Sequence, residues 1–340
     1  MRLLTVAVIT TLVTTSFASS LASAASINLY SARKEALIKP MLEQFTATTG
    51  IEVRLLTGSG DALLARLQNE GANTPADLFL TVDAGNLHRA AQAGVFQPLA
   101  STVAQAAVPH YLQGDNDLWV GLSVRARPIF YAIDRVDPSQ LTGYADLASS
   151  SWKGNVCIRS SDNIYNQSLV GALLAHWGEA ATESWARGLV TNFAKPPVGG
   201  DRDQILAVAN GMCDIAVANT YYYGLMQASD DASVRAAAAK VAIFWPDQAT
   251  TGTHINVSGI GLTRYGKNTD QARQLVEFLL SAEAQAWYAA SNNEYPVRND
   301  VSWSERLQNW GSFKPDQLPM TVLGENNAAA VRLMNRAGWR

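Results

Sequence analysis

The chain has 340 residues, of which 48% are hydrophobic and 16% charged, and its formal net charge is −3. This mildly acidic balance argues against nucleic-acid binding, which calls for a basic patch or stripe, and it does not favour an anionic membrane surface. A chain of this length is too long for one hydrophobic core and is typical of two lobes.

The N-terminus has the features of a secretion signal. Arg2 supplies positive charge, an apolar run covers 3–13, and the small residues of 22–24 form a cleavage site. Serines and threonines interrupt the apolar run before the roughly 20 residues that a spanning helix needs, and no cysteine follows the cleavage site. We therefore expect residues 1–24 to be removed and the mature chain to be a periplasmic monomer without membrane insertion.

Strands and helices alternate in the first part of the mature sequence. The predicted elements are a strand at 27–31, a helix containing 37–45, a strand at 51–56, a helix at 61–70, a strand at 76–81 and a helix at 84–93. Ser59 or Asp61 is the expected N-cap of the second helix. This β-α-β-α-β-α order predicts a parallel sheet covered by helices.

The stretch 119–134 is strand-like throughout but is too long for one ordinary strand. It also contains Pro128, which a central strand does not accept. We predict that it leaves one lobe and enters the other, and that a second crossing lies near 241–244. Two α/β lobes joined by two crossing strands make a clamshell with a ligand cleft between them. The expected N-terminal lobe is 25–124 plus 248–298, and the C-terminal lobe is 125–247 plus 299–340.

The remaining predicted elements follow the same pattern. They are strands at 156–159, 214–218 and 254–262, helices at 167–177, 182–193 and 203–210, two helices within 269–290 broken at Ser281, and a tail that begins at 292.

Cys157 and Cys213 are the only cysteines of the chain. In an oxidising compartment two cysteines most simply pair, and we predict a disulfide. Such a bridge would hold the strands at 156–159 and 214–218 close together. A thiolate metal site is the alternative, but two sulfurs and four scattered histidines fit it poorly.

Tyrosines follow both of these strands. Tyr221-Tyr222-Tyr223 come directly after 214–218, and Tyr165 follows 156–159 by a short loop. Because ligands of open α/β sheets lie outside the carboxyl ends of the strands, we predict that Tyr165, Tyr221 and Tyr222 converge, whereas Tyr223 packs. A phenol must lose a proton of pKa about 10 to bind a metal, and only a small, highly charged cation such as Fe(III) compensates for that. The alternative is that the phenols stack or hydrogen-bond in a core or at a ligand surface.

Three phenolates match the charge of a trivalent ion, and water or a small anion would complete its coordination. Arg125 and Arg127, at the first crossing, and Arg33, from the opposite lobe, are candidate partners for that anion. An ordinary salt bridge is the alternative for each arginine.

With these features the chain resembles the periplasmic ferric-iron-binding proteins of bacterial ABC transporters, over essentially the whole mature sequence. The resemblance is carried by four motifs: Ile27-Asn-Leu-Tyr-Ser-Ala-Arg-Lys34, Pro75-Ala-Asp-Leu-Phe-Leu-Thr81, Gly121-Leu-Ser-Val-Arg-Ala-Arg127 and Ala218-Asn-Thr-Tyr-Tyr-Tyr-Gly224.

The resemblance implies a type II periplasmic-binding-protein clamshell that closes on Fe(III) and delivers it to an inner-membrane ABC permease. It places the metal ligands at Tyr165, Tyr221 and Tyr222, and an arginine behind them at Arg125. The positions at which some members use a first-lobe histidine or tyrosine read Lys34 and Glu35 here. The position of a glutamate ligand of other members reads Val82. The resemblance therefore implies iron held mainly by second-lobe tyrosines plus an anion such as carbonate, and leaves open whether Lys34 or Glu35 takes part.

Two other functions remain as alternatives. The same fold could bind another small ligand such as an anion, with the tyrosines as non-metal contacts. An enzyme on this clamshell would need a nucleophile and a base, but the sequence has no Gly-x-Ser-x-Gly elbow, no His-Glu-x-x-His helix and no ligand spacing among its histidines. We therefore expect a protein that is not an enzyme.

Overall fold

Two β-sheets, each packed against helices, organise the chain in a computed structural model that describes residues 25–340. The predicted secretion signal lies outside the described residues. The strands are β1 Ser26–Ser31, β2 Glu52–Thr57, β3 Leu78–Val82, β4 Phe96–Gln97, β5 Val120–Ala126, β6 Ile129–Ala132, β7 Val156–Cys157, β8 Ile215–Val217, β9 Val241–Phe244 and β10 Ile255–Thr263. The α-helices are α1 Lys39–Thr49, α2 Gly60–Glu70, α3 Ala84–Gln92, α4 Thr102–Ala107, α5 Ile164–Thr191, α6 Asp201–Ala209, α7 Thr220–Gln227, α8 Ala232–Ala238, α9 Thr269–Leu279, α10 Ala282–Trp287, α11 Glu305–Asn309, α12 Met320–Glu325 and α13 Asn327–Ala337.

The first sheet has the strand order β2-β1-β3-β10-β4, and β5 also pairs with β10. β1 is parallel to β2 and β3, which confirms the predicted parallel start of the chain. β10 runs antiparallel to β3, β4 and β5 and is buried over all nine residues, because strands flank it on both sides. Local signals set the ends of the first helices. The hydroxyl of Ser59 caps α2 by accepting from the Ala62 N–H, and Gly50 ends α1 with φ of 73°.

The second sheet has the order β7-β8-β6-β9. β5 belongs to the first sheet and β6 to the second, with Pro128 between them, so the predicted first crossing is confirmed. β9 in the second sheet and β10 in the first make the return crossing. The two crossings touch where the Arg127 N–H donates to the His254 carbonyl at 3.0 Å.

Several elements differ from the sequence prediction, which also omitted β4, α4 and α8. The helices expected at 167–177 and 182–193 form the single element α5, which is interrupted at Gly178 by a non-helical φ of 76°. The tyrosine triplet lies inside α7, a helix that the prediction omitted. The expected tail instead forms α11, α12 and α13.

The C-terminal segment contributes to two hydrophobic cores. Leu307 and Leu323 pack in the core around the first sheet, whereas Leu333 and Trp339 pack in a core of the second. The division at residue 299 that we assigned from the sequence stays a prediction.

The predicted disulfide is confirmed. Cys157 ends β7, Cys213 lies two residues before β8, and their Cα atoms are 5.9 Å apart. The bridge therefore ties together two neighbouring parallel strands of the second sheet. Among residues 25–340, no helix combines the length and apolar character required to cross a membrane.

Replacing both cysteines by serine should lower the free energy of unfolding by about 4 kcal/mol, because the bridge closes a long loop in the unfolded chain. Urea unfolding with and without dithiothreitol measures this effect. The reductant should destabilise the wild-type protein but not the double variant. An unchanged midpoint for the reduced wild-type protein would contradict a stabilising bridge.

Candidate functional site

Two helix N-termini carry the three candidate tyrosines. Tyr165 is the second residue of α5, and Tyr221 and Tyr222 are the second and third residues of α7. The Asn163 side chain caps α5 by accepting from the Tyr165 N–H at 3.2 Å. Since the N-terminus of a helix carries partial positive charge, both helices favour negative charge in this region.

The structure brings the three phenols together. The hydroxyls of Tyr165 and Tyr221 are 3.4 Å apart, and the ring centroids of Tyr221 and Tyr222 are 4.2 Å apart. All three side chains line one cavity of about 240 Å³. Tyr223 is excluded from it, as predicted: it is buried, and its hydroxyl donates to the Val241 carbonyl at 2.7 Å.

Burial and the charges of neighbouring phenolates favour the neutral form of Tyr221 and Tyr222. Removal from water raises the pKa of Tyr221 well above 10, and the neighbouring charges of ionised Tyr165 and Tyr222 raise it further. The same two causes, burial first and then Tyr165, raise the pKa of Tyr222 to about 12. A ligand that binds the phenolates must therefore displace protons at neutral pH, as a multiply charged cation does.

Three guanidinium groups surround the Tyr165 ring. Those of Arg125, Arg127 and Arg159 lie 5.7, 5.9 and 5.8 Å from its centroid, within the range of cation–π attraction. The positive charge of these three guanidinium groups favours anionic groups at the Tyr165 end of the cavity.

Arg125 has more unpartnered donors than Arg33, the other arginine that lines the cavity, of which only Nε lacks a partner among the described residues. Arg125 is 1% exposed, and its Nη1 donates to Ser258 Oγ at 2.8 Å. Within residues 25–340, Nε and Nη2 of Arg125 have no hydrogen-bond partner. Buried donors of this kind are rare in proteins, and an anion in the cavity would satisfy them.

Arg33 lines the same cavity but is already paired. Its Nη2 lies 2.5 Å from a carboxylate oxygen of Glu294, and its Nη1 donates to Ser123 and Ser258. Removal from water is the largest single effect and lowers the pKa of Arg33, but the charge and hydrogen bond of Glu294, together with the charges of Tyr288 and Tyr221, leave that pKa raised. Arg33 therefore stays charged and is held in place.

The two first-lobe candidates, Lys34 and Glu35, differ in whether they reach the cavity. Lys34 lies at the exposed rim of the cavity, and Val82 lines its wall. Glu35 lies outside the cavity, where its carboxylate is half-exposed and pairs with Lys39 at 2.8 Å. We therefore leave Glu35 out of the site, because its side chain does not line this cavity.

Two charged residues of the site, Arg159 and Glu294, were not predicted from the sequence. Arg159 lies two residues after the end of β7, the strand that precedes Tyr165, so the rule that located Tyr165 could also have found it. Glu294 has no such signal, because its partner Arg33 is 261 residues away in the chain.

Elsewhere in the described part of the chain, no group of three or more His, Cys, Asp or Glu residues could hold a metal ion.

Residues 30–286 match the family of bacterial extracellular solute-binding proteins. The chain belongs to this family. It is also 45% identical over 314 residues to iron uptake protein A1 of Synechocystis sp., covering 92% of this chain and 87% of that protein.

Solved structures agree with the fold of this solute-binding protein. The Trichodesmium IdiA/FutA protein in complex with iron and citrate superimposes with a TM-score of 0.90 at 45% identity, covering 93% of this chain and 100% of that one. The ferric binding protein from Campylobacter jejuni gives 0.88 at 37% identity, with 92% and 100% covered. The type II clamshell predicted from the sequence is thereby confirmed.

Without metal, Tyr221 and Tyr222 should stay protonated when the pH is raised to about 10, where ordinary tyrosines titrate. We expect the tyrosinate ultraviolet absorbance gained between pH 7 and about 10 to be equal in the wild-type protein and the Tyr221→Phe/Tyr222→Phe variant. A smaller gain in the variant would mean that these phenols ionise normally.

Proposed function

We propose that this protein binds ferric iron in the periplasm and delivers it to an inner-membrane ABC permease, acting as a monomer and without catalysis. The convergence of Tyr165, Tyr221 and Tyr222 on one cavity carries the proposal. Three phenolates supply three negative charges for a trivalent ion, and few other ligands would compensate for the proton loss that Tyr221 and Tyr222 resist.

In this site Tyr165, Tyr221 and Tyr222 bind Fe(III) through their phenolate oxygens. Arg125 lies behind Tyr165 and balances the negative charge, and Lys34 reaches the cavity from its rim. Arg33 supports the opposite wall through its pair with Glu294.

An anion shares the cavity with the metal. The cavity volume of about 240 Å³ is several times the roughly 30 Å³ that one water occupies in the liquid. The free Nε and Nη2 donors of Arg125 suit a carboxylate or carbonate oxygen. Carbonate is one candidate, and citrate is another because the Trichodesmium neighbour was solved with iron and citrate.

The proposed compartment and partner rest on the relatives and on the N-terminal sequence. A Serratia marcescens relative, 29% identical over 315 residues, is named an Fe(3+)-binding periplasmic protein. The proposed permease follows from the family, because solute-binding proteins of this kind pass their ligand to a membrane transporter.

Adding Fe(III) and bicarbonate to the purified protein should produce a visible phenolate-to-iron charge-transfer band. Tyr221→Phe/Tyr222→Phe should abolish the band, because two of three phenolates are lost. Tyr223→Phe is the matched control and should keep it, since that hydroxyl bonds to a backbone carbonyl in the core. A colourless wild-type protein without iron affinity would refute the proposal and favour the alternative of an anion-binding protein.

Arg125→Gln should weaken Fe(III) binding by about 10- to 100-fold, as the loss of groups that support metal ligands commonly does. The bicarbonate dependence of binding should fall with it, because the two free donors are removed. Competition titrations against a chelator, with and without bicarbonate, give both quantities. Glu35→Gln is the control and should bind as the wild type does. Equal affinities for the Arg125 variant and the wild type would remove Arg125 from the site.

A further inference from the structure

The guanidinium of Arg127 joins the two helices that carry the candidate ligands. Its Nη2 donates to the side-chain oxygen of Asn166 at 2.6 Å, and its Nη1 donates to that of Asn219 at 3.0 Å. Asn166 follows Tyr165 directly in the first turn of α5. Asn219 is the N-cap residue of α7, two positions before Tyr221.

Asn219 is an N-cap residue whose side chain is diverted from capping. Asparagine is favoured at this position because its side-chain oxygen usually accepts from the first N–H groups of the helix. Here that oxygen accepts from Arg127 instead, and no side-chain cap bond forms. The contact to Arg127 has thus replaced an interaction that would stabilise α7 locally.

Asp201 completes this buried cluster from a third helix, α6. Its carboxylate accepts from Arg127 Nη1 and from the Asn219 N–H, both at 3.0 Å. Arg127, Asp201, Asn166 and Asn219 are each at most 2% exposed. The ion pair is therefore shielded from water, and a planar guanidinium fixes the directions of its bonds.

The backbone of Arg127 is fixed at the meeting of the two crossings. Its N–H donates to the His254 carbonyl at 3.0 Å, and its carbonyl accepts from the Tyr144 hydroxyl at 2.8 Å. The Arg127 guanidinium therefore contacts α5 and α7 from a backbone position that is itself fixed by hydrogen bonds.

We propose that Arg127 is a positioning residue that sets the separation between Tyr165 and the Tyr221–Tyr222 pair, so that the three phenols are arranged for one metal ion before it binds. The inference rests on the proposed iron-binding function. Lysine at this position would keep the positive charge but would lose the fork that bonds to both asparagines. The α5 and α7 N-termini would then be held by fewer contacts, and the phenol oxygens would lie at altered distances.

The test loads wild-type, Arg127→Lys and Asn219→Ala proteins with one equivalent of Fe(III) in the presence of bicarbonate. Two quantities are measured: the position and intensity of the charge-transfer band, and the rate at which iron passes to excess EDTA. Arg127→Lys should shift or weaken the band and release iron about 10-fold faster or more. Asn219→Ala removes one of the three acceptors and should change both quantities in the same direction by less.

Arg135→Lys is the matched control. Arg135 also pairs with aspartates in the second lobe, at 2.8 Å from Asp214, but it does not line the cavity. This variant should keep the wild-type band and release rate, and apo-protein unfolding temperatures report any purely structural effect separately.

The outcomes distinguish this inference from the proposed function. If the wild type is coloured and both Arg127→Lys and Asn219→Ala keep its band and release rate, positioning by Arg127 is refuted while iron binding stands. If Arg127→Lys does not fold, Asn219→Ala alone decides by the same criteria. A colourless wild-type protein overturns both.

Discussion

The cost of burying positive charge is the constraint on which the cleft depends. Arg33, Arg125 and Arg127 are at most 4% exposed, and a buried cation is expensive unless it is paired and hydrogen-bonded. Arg33 has Glu294 and Arg127 has Asp201. Arg125 has one hydroxyl acceptor, and it lowers the pKa of buried Asp83 against the larger effect of burial. The cleft therefore contains a buried cation, Arg125, that lacks a full set of hydrogen-bond acceptors. This favours the binding of negatively charged ligands.

This constraint also explains where the arginines lie in the chain. Arg125 is the second-to-last residue of β5, next to the first crossing, and Arg127 lies between the two sheets, so both side chains reach the interior where the lobes meet. A side chain at the meeting of the two lobes can contact groups of either lobe while it stays buried. Arg125 bonds to Ser258 of the first sheet and stands over the Tyr165 ring of the second lobe. The same short segment thus forms the first crossing between the sheets and contributes side chains to the site.

Features that depend on a local sequence pattern could be predicted from the sequence, whereas contacts between residues far apart in the chain could not. Pro128 inside a strand-like run marked the first crossing because proline cannot donate to a central ladder. Two cysteines in a chain with an expected secretion signal predicted their bridge, and the position of Tyr165 and Tyr221 after neighbouring strands predicted their approach. The Arg33–Glu294 pair has no local signature, since each residue alone looks like an ordinary surface charge. Likewise α7, only eight residues long, lacks the repeated apolar spacing that reveals longer helices.

The proposed ligand set couples the oxidation state of iron to the protons of the site. Burial raises the pKa of Tyr221 well above 10 and that of Tyr222 to about 12, so a metal ion competes with a proton for each of these two oxygens. Three unit charges on Fe(III) can balance three phenolates, whereas Fe(II) would leave one phenolate uncompensated in a buried cavity. That phenolate would then bind a proton more readily than the metal. With the proposed ligand set, reduction should therefore loosen the site even if no residue moves.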